Sequence, residues 1–165
     1  MSSSPSVEIR AGVESDTHAV CAFGVRHVIA FSTPLLGADA ARSQVARWWS
    51  DDEMRPALRN GDVVVAVRGG DIVGVAQIDP VASPPIVYKL YVDPALRSRG
   101  IGPRLLHAVS ARVPPDATHL AIEHFTVNER AARFYEREGF LVDRVDEAAS
   151  ADPLHRITWR VKRLR

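Results

Sequence analysis

The fold is decided by the stretch YKLYVDPALRSRGIGPRLLH, which spans Tyr88 to His107. Its opening residues, Tyr88–Val92, are mostly aromatic and aliphatic, and such residues favour a strand. Asp93-Pro94 ends that strand, because proline has no N–H to donate to a neighbouring strand. A helix with one apolar stripe begins near Ile101, since apolar residues then recur at helical spacing through Leu105 and Val109.

The turn between this strand and this helix, Arg97 to Gly102, has the sequence Arg-Ser-Arg-Gly-Ile-Gly. Glycine lets the backbone approach a ligand closely and adopt conformations that other residues avoid. The N–H groups and the dipole at a helix N-terminus both attract an anion, and nearby arginines add positive charge. Pro103 suits the first helical turn, where its missing N–H is not used. The turn therefore favours a phosphate or pyrophosphate, and an ordinary turn with solvated arginines is the alternative.

Two motifs of the chain resemble the GNAT (GCN5-related) N-acetyltransferases. Leu90-Tyr91-Val92-Asp93-Pro94, followed by Arg97-x-x-Gly100-x-Gly102, is similar to the acetyl-CoA signature of that family. Downstream, NERAARFYEREGF at residues 128–140 matches the family pattern Asn-x-x-Ala-x-x-Phe-Tyr-x-x-x-Gly-Phe. The resemblance implies an α/β (α+β) fold, the GNAT fold, in which a mixed central β-sheet contains a splayed parallel strand pair and is flanked by helices.

The same resemblance implies that acetyl-CoA is the acyl-donor substrate and that no metal takes part. In the family, pantetheine lies between the splayed strands and pairs with the first of them as an added strand would. The positions of this chain that match cofactor-binding positions are Leu90, Tyr91, Val92, Arg97, Ser98, Arg99, Gly100, Ile101, Gly102, Pro103, Arg104 and Asn128.

Acetyl transfer to an amine requires a neutral nucleophile, so a base must take a proton from the ammonium group. The leaving thiolate then benefits from a proton donor. The resemblance assigns that donor to Tyr135, for which a core tyrosine is the alternative. Many members carry a base early in the central strand, where this chain has Ile86 and Val87. The branch of ribosomal-protein N-terminal acetyltransferases places a glutamate on the next strand instead, and Glu123 matches it. The alternatives are a solvated strand carboxylate and His124, which strand alternation points to the opposite face.

Asn128 matches an asparagine that contacts the cofactor in many family members, and it also suits a helix cap. Thr126-Val127-Asn128-Glu129 contains a Thr-x-x-Glu capping box as well. Thr126 is therefore an alternative cap that would leave Asn128 to the ligand.

The remaining elements follow from local patterns. We expect a helix capped by Ser15 or Asp16, a break over residues 31–37, and a helix over residues 38–50. The latter ends in Trp48-Trp49, which are candidates for the acceptor pocket wall or for the core. Gly69-Gly70 predicts a hairpin. The other predicted elements are strands over residues 7–10, 62–68, 71–78, 118–125, 140–145 and 157–161, a short helical piece from residue 51, and a helix over residues 128–138.

Length and composition predict one domain over residues 7–165 after a disordered start at residues 1–6. The net charge of +1 implies no general affinity for nucleic acid or membrane. Cys21 is the lone cysteine, so no internal disulfide forms. No apolar run is long enough to cross a membrane, and the start lacks the features of a signal peptide, which predicts a cytoplasmic protein.

These observations predict an acetyl-CoA-dependent N-acetyltransferase in which a primary amine attacks the thioester directly. A non-catalytic acyl-CoA-binding regulatory domain is the alternative. A nucleotide-binding module is disfavoured, because the chain lacks a P-loop and the Gly-x-Gly-x-x-Gly order. The acceptor is a small-molecule amine or a protein amine, and a homodimer is left open.

Overall fold

The computed structural model describes residues 4–148, 150 and 152–165. The predicted disordered start, residues 1–6, and the loop after residue 146 therefore lie partly outside the described residues. The helices are α1 Thr17–Phe23, α2 Ile29–Leu36, α3 Ala38–Trp48, α4 Asp51–Asn60, α5 Ile101–Ser110 and α6 Glu129–Arg137. The strands are β1 Val7–Ala11, β2 Val63–Arg68, β3 Asp71–Asp79, β4 Ile86–Val92, β5 His119–Phe125, β6 Leu141–Asp146 and β7 Ile157–Arg163.

In the described part of the chain, the strands form a seven-stranded mixed sheet in the order β1-β2-β3-β4-β5-β7-β6. β4 and β5 are parallel, with Ile86 opposite Ala121 and Val87 opposite Ile122. The pairs β1-β2, β2-β3, β5-β7 and β6-β7 are antiparallel. A parallel pair joined through α5 is the arrangement that the sequence predicts for the central segment, and the predicted mixed sheet is confirmed.

The chain divides into two compact units. The first contains residues up to 77 and residues 89–112, and its core joins the first helices to β2 and β3. Alternation along these strands turns every second residue toward the helices. The buried cluster consists of Val20, Phe23, Val28, Val45, Trp49, Met54, Ala57, Leu58, Val63, Val65 and Val75.

Between α1 and α2 the chain continues as a helix with wider turns over Gly24–Val28. The predicted break over residues 31–37 is therefore wrong for most of its length, because α2 runs to Leu36 and ends only at Gly37, with φ +81°. Pro34 lies in the last turn of α2, where little helix remains to be disrupted. Gly24 is required where it stands, because a Cβ there would clash with the Trp49 indole.

The helical stretch Glu14–Leu36 is long and apolar enough, by length and composition alone, to cross a membrane. The expectation that no such run exists was wrong, because consecutive short helices join end to end. Val20, Phe23 and Val28 from this stretch are buried in the core of the first unit, and 28% of its apolar window is buried.

The second unit contains residues 78–88 and the described residues after 112. β5 pairs with β7 along its whole length, from His119 opposite Arg163 to Phe125 opposite Ile157. Leu120, Ile122 and Phe140 are fully buried. Glu123, which follows Ile122 on β5, is exposed and lies opposite Trp159 in the strand register.

Candidate active site

The glycine-bearing turn is built in the first unit by a short chain of backbone contacts. After β4, the Asp93 N–H donates to the Val73 carbonyl at 2.8 Å, and Asp93 Oδ1 accepts from the Ala95 N–H at 2.9 Å. These bonds form a single helical turn, Pro94–Leu96, whose Leu96 side chain is buried. The turn that follows is therefore held at a fixed place beyond the end of β4.

Positive φ angles occur twice in this turn. Ser98 has φ +61° and Gly100 has φ +75°. A left-handed conformation is unusual for serine, and such backbone strain is concentrated at functional sites. Gly100 has open space around the position of a Cβ. Glycine is therefore favoured at this position by the positive φ angle and not by crowding from the surrounding protein.

The N-terminus of α5 follows directly at Ile101. Gly100 caps it without a side chain, so no side-chain oxygen occupies the N–H groups of the first turn. Ile101, Leu105, Leu106 and Val109 are buried and fix the direction of the helix. The Arg104 guanidinium is anchored by a 3.1 Å bond from Nη2 to the Val7 carbonyl. Amide groups, helix dipole and arginines are the features that attract an anion.

The other predicted cofactor positions lie along this segment. Leu90, Tyr91 and Val92 form the end of β4 and are half-buried. The Tyr91 ring meets Trp49 edge-on, with ring centroids 5.6 Å apart, and meets Phe31 at 6.0 Å. Trp49 is buried whereas Trp48 is exposed. Arg97, Ser98, Arg99, Gly102 and Pro103 all belong to the turn and the first turn of α5.

Lys89 is a buried charged residue of β4 that sequence analysis gave no role. Its side chain is only 8% exposed. Nζ donates to Gln77 Oε1 at 2.6 Å and lies 5.4 Å from the centre of the Trp49 ring. Burial lowers the pKa of Lys89 to about 8, against the opposing influence of Glu53 and Cys21. A lysine inside an otherwise aromatic and aliphatic strand was the signal that could have identified it.

His27 contacts the base of the glycine-bearing turn. Its Nε2 lies 3.9 Å from Asp93 Oδ2. Burial lowers the pKa of His27 and outweighs the nearby Asp93 carboxylate, which raises it. No group of three or more His, Cys, Asp or Glu residues suited to a metal occurs within residues 4–148, 150 and 152–165.

The second unit carries the residues predicted to handle protons. The pKa of Glu123 is raised, chiefly by desolvation and further by the Asp146 carboxylate, while Arg144 opposes the shift. Tyr88 titrates higher than usual as well: desolvation raises its pKa, followed by the charges of Asp79 and Glu123. A carboxyl group with a raised pKa is a better proton acceptor than an ordinary glutamate.

His124 lies on the other face of β5 and is buried, as alternation predicts. Its Nε2 accepts a hydrogen bond from Arg160 Nε at 3.0 Å, and its Nδ1 lies 2.8 Å from the Phe125 carbonyl. This pattern requires the neutral tautomer with the proton on Nδ1. Burial lowers the pKa of His124, which favours the same neutral form.

Tyr135 is buried on α6, at 8% exposure. Its ring stacks on His124 with centroids 6.1 Å apart and meets Phe134 and Phe140 edge-on at 5.1 and 5.7 Å. The ring is thus fixed on three sides. This packing suits a positioned proton donor and a core tyrosine alike, so the assignment remains a prediction.

Asn128 caps α6, because its Oδ1 accepts from the Ala131 N–H at 3.1 Å. The alternative cap, Thr126, is wrong: its hydroxyl bonds to the Thr158 hydroxyl at 2.8 Å. The cap uses only the oxygen of the Asn128 amide group, so a cofactor contact through the amide nitrogen is compatible with it.

The chain matches the family model of the acetyltransferase (GNAT) domain over residues 59–142. This match covers half of the sequence and contains both the glycine-bearing turn and Tyr135. The chain belongs to the GNAT acetyltransferase family, as its two motifs predicted. Among curated proteins, none matches it in sequence.

Solved structures share the fold at low sequence identity. The PaiA N-acetyltransferase of Thermoplasma acidophilum, in complex with coenzyme A, is 17% identical and superposes with a TM-score of 0.76, covering 96% of this chain and 99% of that one. A GNAT acetyltransferase of Streptococcus pneumoniae is 18% identical with a TM-score of 0.74, covering 97% and 100%. A GCN5-related N-acetyltransferase of Rhodopseudomonas palustris is 20% identical with a TM-score of 0.71, covering 98% and 97%.

Proposed function

We propose that this protein is an acetyl-CoA-dependent N-acetyltransferase that acetylates a primary amine by direct attack on the thioester. The observation that carries the proposal is the family match, which includes the complete signature turn and the Tyr135 segment. The similar PaiA structure is described in complex with coenzyme A. Residues 7–165 would act as one acetyltransferase domain, and we place the reaction in the cytoplasm.

The turn and the start of α5 are proposed to hold the pyrophosphate. In this proposal, backbone N–H groups from Ser98 to Gly102 bind the pyrophosphate, and the positive φ angles at Ser98 and Gly100 support it, since such turns often form anion sites. Arg97, Arg99 and Arg104 supply the matching positive charge, and Ile101 and Pro103 shape the first helical turn. The main chain of Leu90, Tyr91 and Val92 is proposed to pair with pantetheine, and the amide nitrogen of Asn128 to contact the cofactor.

Glu123 is proposed as the base. The acceptor ammonium loses a proton to the Glu123 carboxylate, directly or through water. The amine nitrogen then bonds to the carbonyl carbon of the thioester, and the carbon–sulfur bond breaks. The raised pKa of Glu123 brings its basicity closer to what this step requires.

Tyr135 is proposed as the acid that protonates the departing thiolate. Its ring is held by His124, Phe134 and Phe140, so little reorganisation is needed when the proton moves. The neutral His124 beside it adds no positive charge. Because the amine attacks directly, no covalent enzyme intermediate forms and Cys21 needs no role.

Calorimetry with acetyl-CoA and with ATP tests the proposal first, and a free-thiol assay over a panel of amines tests it second. We expect acetyl-CoA to bind, ATP to bind poorly, and at least one amine to release coenzyme A. Binding of acetyl-CoA without turnover on any amine would favour the non-catalytic regulatory domain instead. Binding of ATP without acetyl-CoA would contradict both functions.

A further inference from the structure

A surface cleft of about 740 Å³ lies entirely within the second unit. Its floor consists of sheet residues Ile86, Ala121, Trp159 and Val161, and the loops before β4 and before β5 form its walls. The walls include Pro80, Pro84, Pro85 and Pro114, and the lining combines apolar surface with polar and charged side chains. Its size is within the range of sites that bind small molecules.

Glu123 borders this cleft. Residues two apart on a strand share a face, so Tyr88 and Glu123 follow the lining residues Ile86 and Ala121 on the same side of the sheet. The strand register independently places Glu123 directly opposite Trp159, which lines the cleft. The charge of Glu123 raises the pKa of Tyr88, which is consistent with this proximity.

The aromatic wall of the cleft is held in place by polar contacts. Trp159 Nε1 donates to Asp146 Oδ2 at 2.9 Å, and the Arg144 guanidinium lies 4.6 Å from the centre of the Trp159 ring. Arg144 pairs with Asp143 at 3.2 Å and with Asp146 at 3.3 Å. Two carboxylates therefore balance the charge of this arginine, and the indole keeps a fixed orientation.

Further carboxylates leave the surroundings of the cleft negative. Asp116 lines it, and Asp79 and Glu123 both act on Tyr88 beside it. Asp79 also fixes the rim of the cleft, since its Oδ1 accepts from the Val81 N–H at 3.0 Å. His119 is the other basic side chain that the lining contributes. Such a charge distribution attracts a cation and repels an anion.

We propose that this cleft binds the acceptor, and that the acceptor is a small arylalkylamine whose ammonium group reaches Glu123 while its ring packs against Trp159. The inference rests on the proposed function and specifies its substrate class. Glu123 takes one proton from the ammonium group, the amine nitrogen bonds to the acetyl carbon, and the carbon–sulfur bond of the thioester breaks. Tyr135 gives a proton to the thiolate, and the second proton that the nitrogen loses as the amide forms returns to Tyr135. Spermidine is the comparison acceptor, because it offers ammonium groups without a ring that could pack against Trp159.

The test compares phenethylamine and tryptamine with spermidine as acceptors in a free-thiol assay. We expect higher kcat/KM for the two arylalkylamines. The exposed rim residue Val81 provides a matched pair of variants that carry little risk of misfolding. Val81→Lys should raise KM for phenethylamine roughly fivefold, as one added charge near the surface implies, whereas Val81→Glu should leave it unchanged or lower it. KM for acetyl-CoA should be the same in both variants.

Trp159 is tested by a second matched pair. Trp159→Ala should raise KM for tryptamine roughly tenfold, because it removes the aromatic wall. Trp159→Phe keeps a ring and should stay within about threefold of the wild type. Circular dichroism checks that both variants are folded.

The outcomes separate this inference from the proposed function. Preference for spermidine, or an unchanged KM for arylalkylamines in both Val81→Lys and Trp159→Ala, would overturn the cleft assignment while leaving acetyl transfer intact. Failure to acetylate any of the three amines would overturn it as well. Calorimetry with acetyl-CoA on the same preparation then shows whether the proposed function fails with it.

Discussion

Replacing Lys89 with methionine should change how the stability of the protein depends on pH. Burying this ammonium group costs free energy, although it contacts the Gln77 amide oxygen and the Trp49 ring. Methionine has a similar length and no charge. The two proteins should therefore differ in the pH range where Lys89 exchanges its proton.

The size of the effect follows from the pKa of Lys89, which is about 8 in the folded protein against an ordinary value of 10.5. Each pH unit between these values is worth roughly 1.4 kcal/mol, so the whole interval corresponds to about 3 kcal/mol. Below pH 8 the lysine is charged in both states. Between pH 8 and 10.5 the folded state has lost the proton while the unfolded state keeps it, so stability rises with pH. As the pH rises over this interval, the unfolding free energy of the wild type should therefore increase by about 3 kcal/mol relative to that of Lys89→Met.

Urea denaturation followed by circular dichroism, from pH 7 to 10.5, measures this difference. All proteins should carry Cys21→Ser, because the thiol titrates in the same range and interacts with Lys89. The matched control is Lys162→Met, at the other lysine of the sequence, which shows what the loss of a lysine elsewhere does over the same pH range. A flat difference between wild type and Lys89→Met would show that Lys89 titrates normally, and would refute its burial.

Substitutions at Tyr135, Glu123 and Asn128 test the proposed site. Tyr135→Phe should lower kcat on the order of 100-fold while leaving acetyl-CoA affinity nearly unchanged, with Tyr88→Phe as a control; full activity in a folded Tyr135→Phe protein would make Tyr135 a core residue only. Glu123→Gln should lower kcat more than it raises KM for acetyl-CoA. It should also remove the acidic limb of the pH–rate profile, which the raised pKa of Glu123 places above the ordinary glutamate range. The control Glu129→Gln should change neither, and an unchanged profile in Glu123→Gln would show that the base is another residue. Asn128→Asp keeps the capping oxygen and should preserve stability, while Asn128→Ala should lose about 1 kcal/mol; acetyl-CoA affinity equal to wild type in Asn128→Asp would argue against an amide contact.

Local sequence signals were sufficient for most of the fold around the turn. Proline after β4, glycine before α5 and the apolar stripe of α5 act over a few residues, so their consequences can be predicted without knowing the rest of the structure. The hairpin at Gly69-Gly70 is of the same kind. The family was also predictable from local sequence, because each of its two motifs lies within one short stretch.

Long-range contacts explain what the sequence did not reveal. Thr126 is not a helix cap because its hydroxyl meets Thr158, which is distant in sequence. Lys89 is buried because Trp49 packs over it from the end of α3. None of these partners can be identified from the residues next to them.

The raised pKa of Glu123 is a second case of the same kind. Alternation along β5 placed its side chain opposite to His124, as the structure has it. Desolvation and the Asp146 carboxylate, which is contributed by β6, then determine the pKa. The face of β5 on which the Glu123 side chain lies was predictable from the sequence. The electrostatic surroundings of Glu123 depend on the strand register, which was not.

The central claim is that acetyl-CoA binds at the turn Arg97–Arg104, and calorimetric titration of acetyl-CoA into wild type, Gly100→Asp and Gly100→Asn tests it most directly. A Cβ at Gly100 meets open space, and Asp and Asn both tolerate its positive φ comparatively well, so both variants should fold. The pair differs in one negative charge at the place where the pyrophosphate is proposed to bind. We expect wild type to bind, Gly100→Asn to bind more weakly and Gly100→Asp to lose binding altogether. Wild-type affinity in a folded Gly100→Asp protein would contradict the claim.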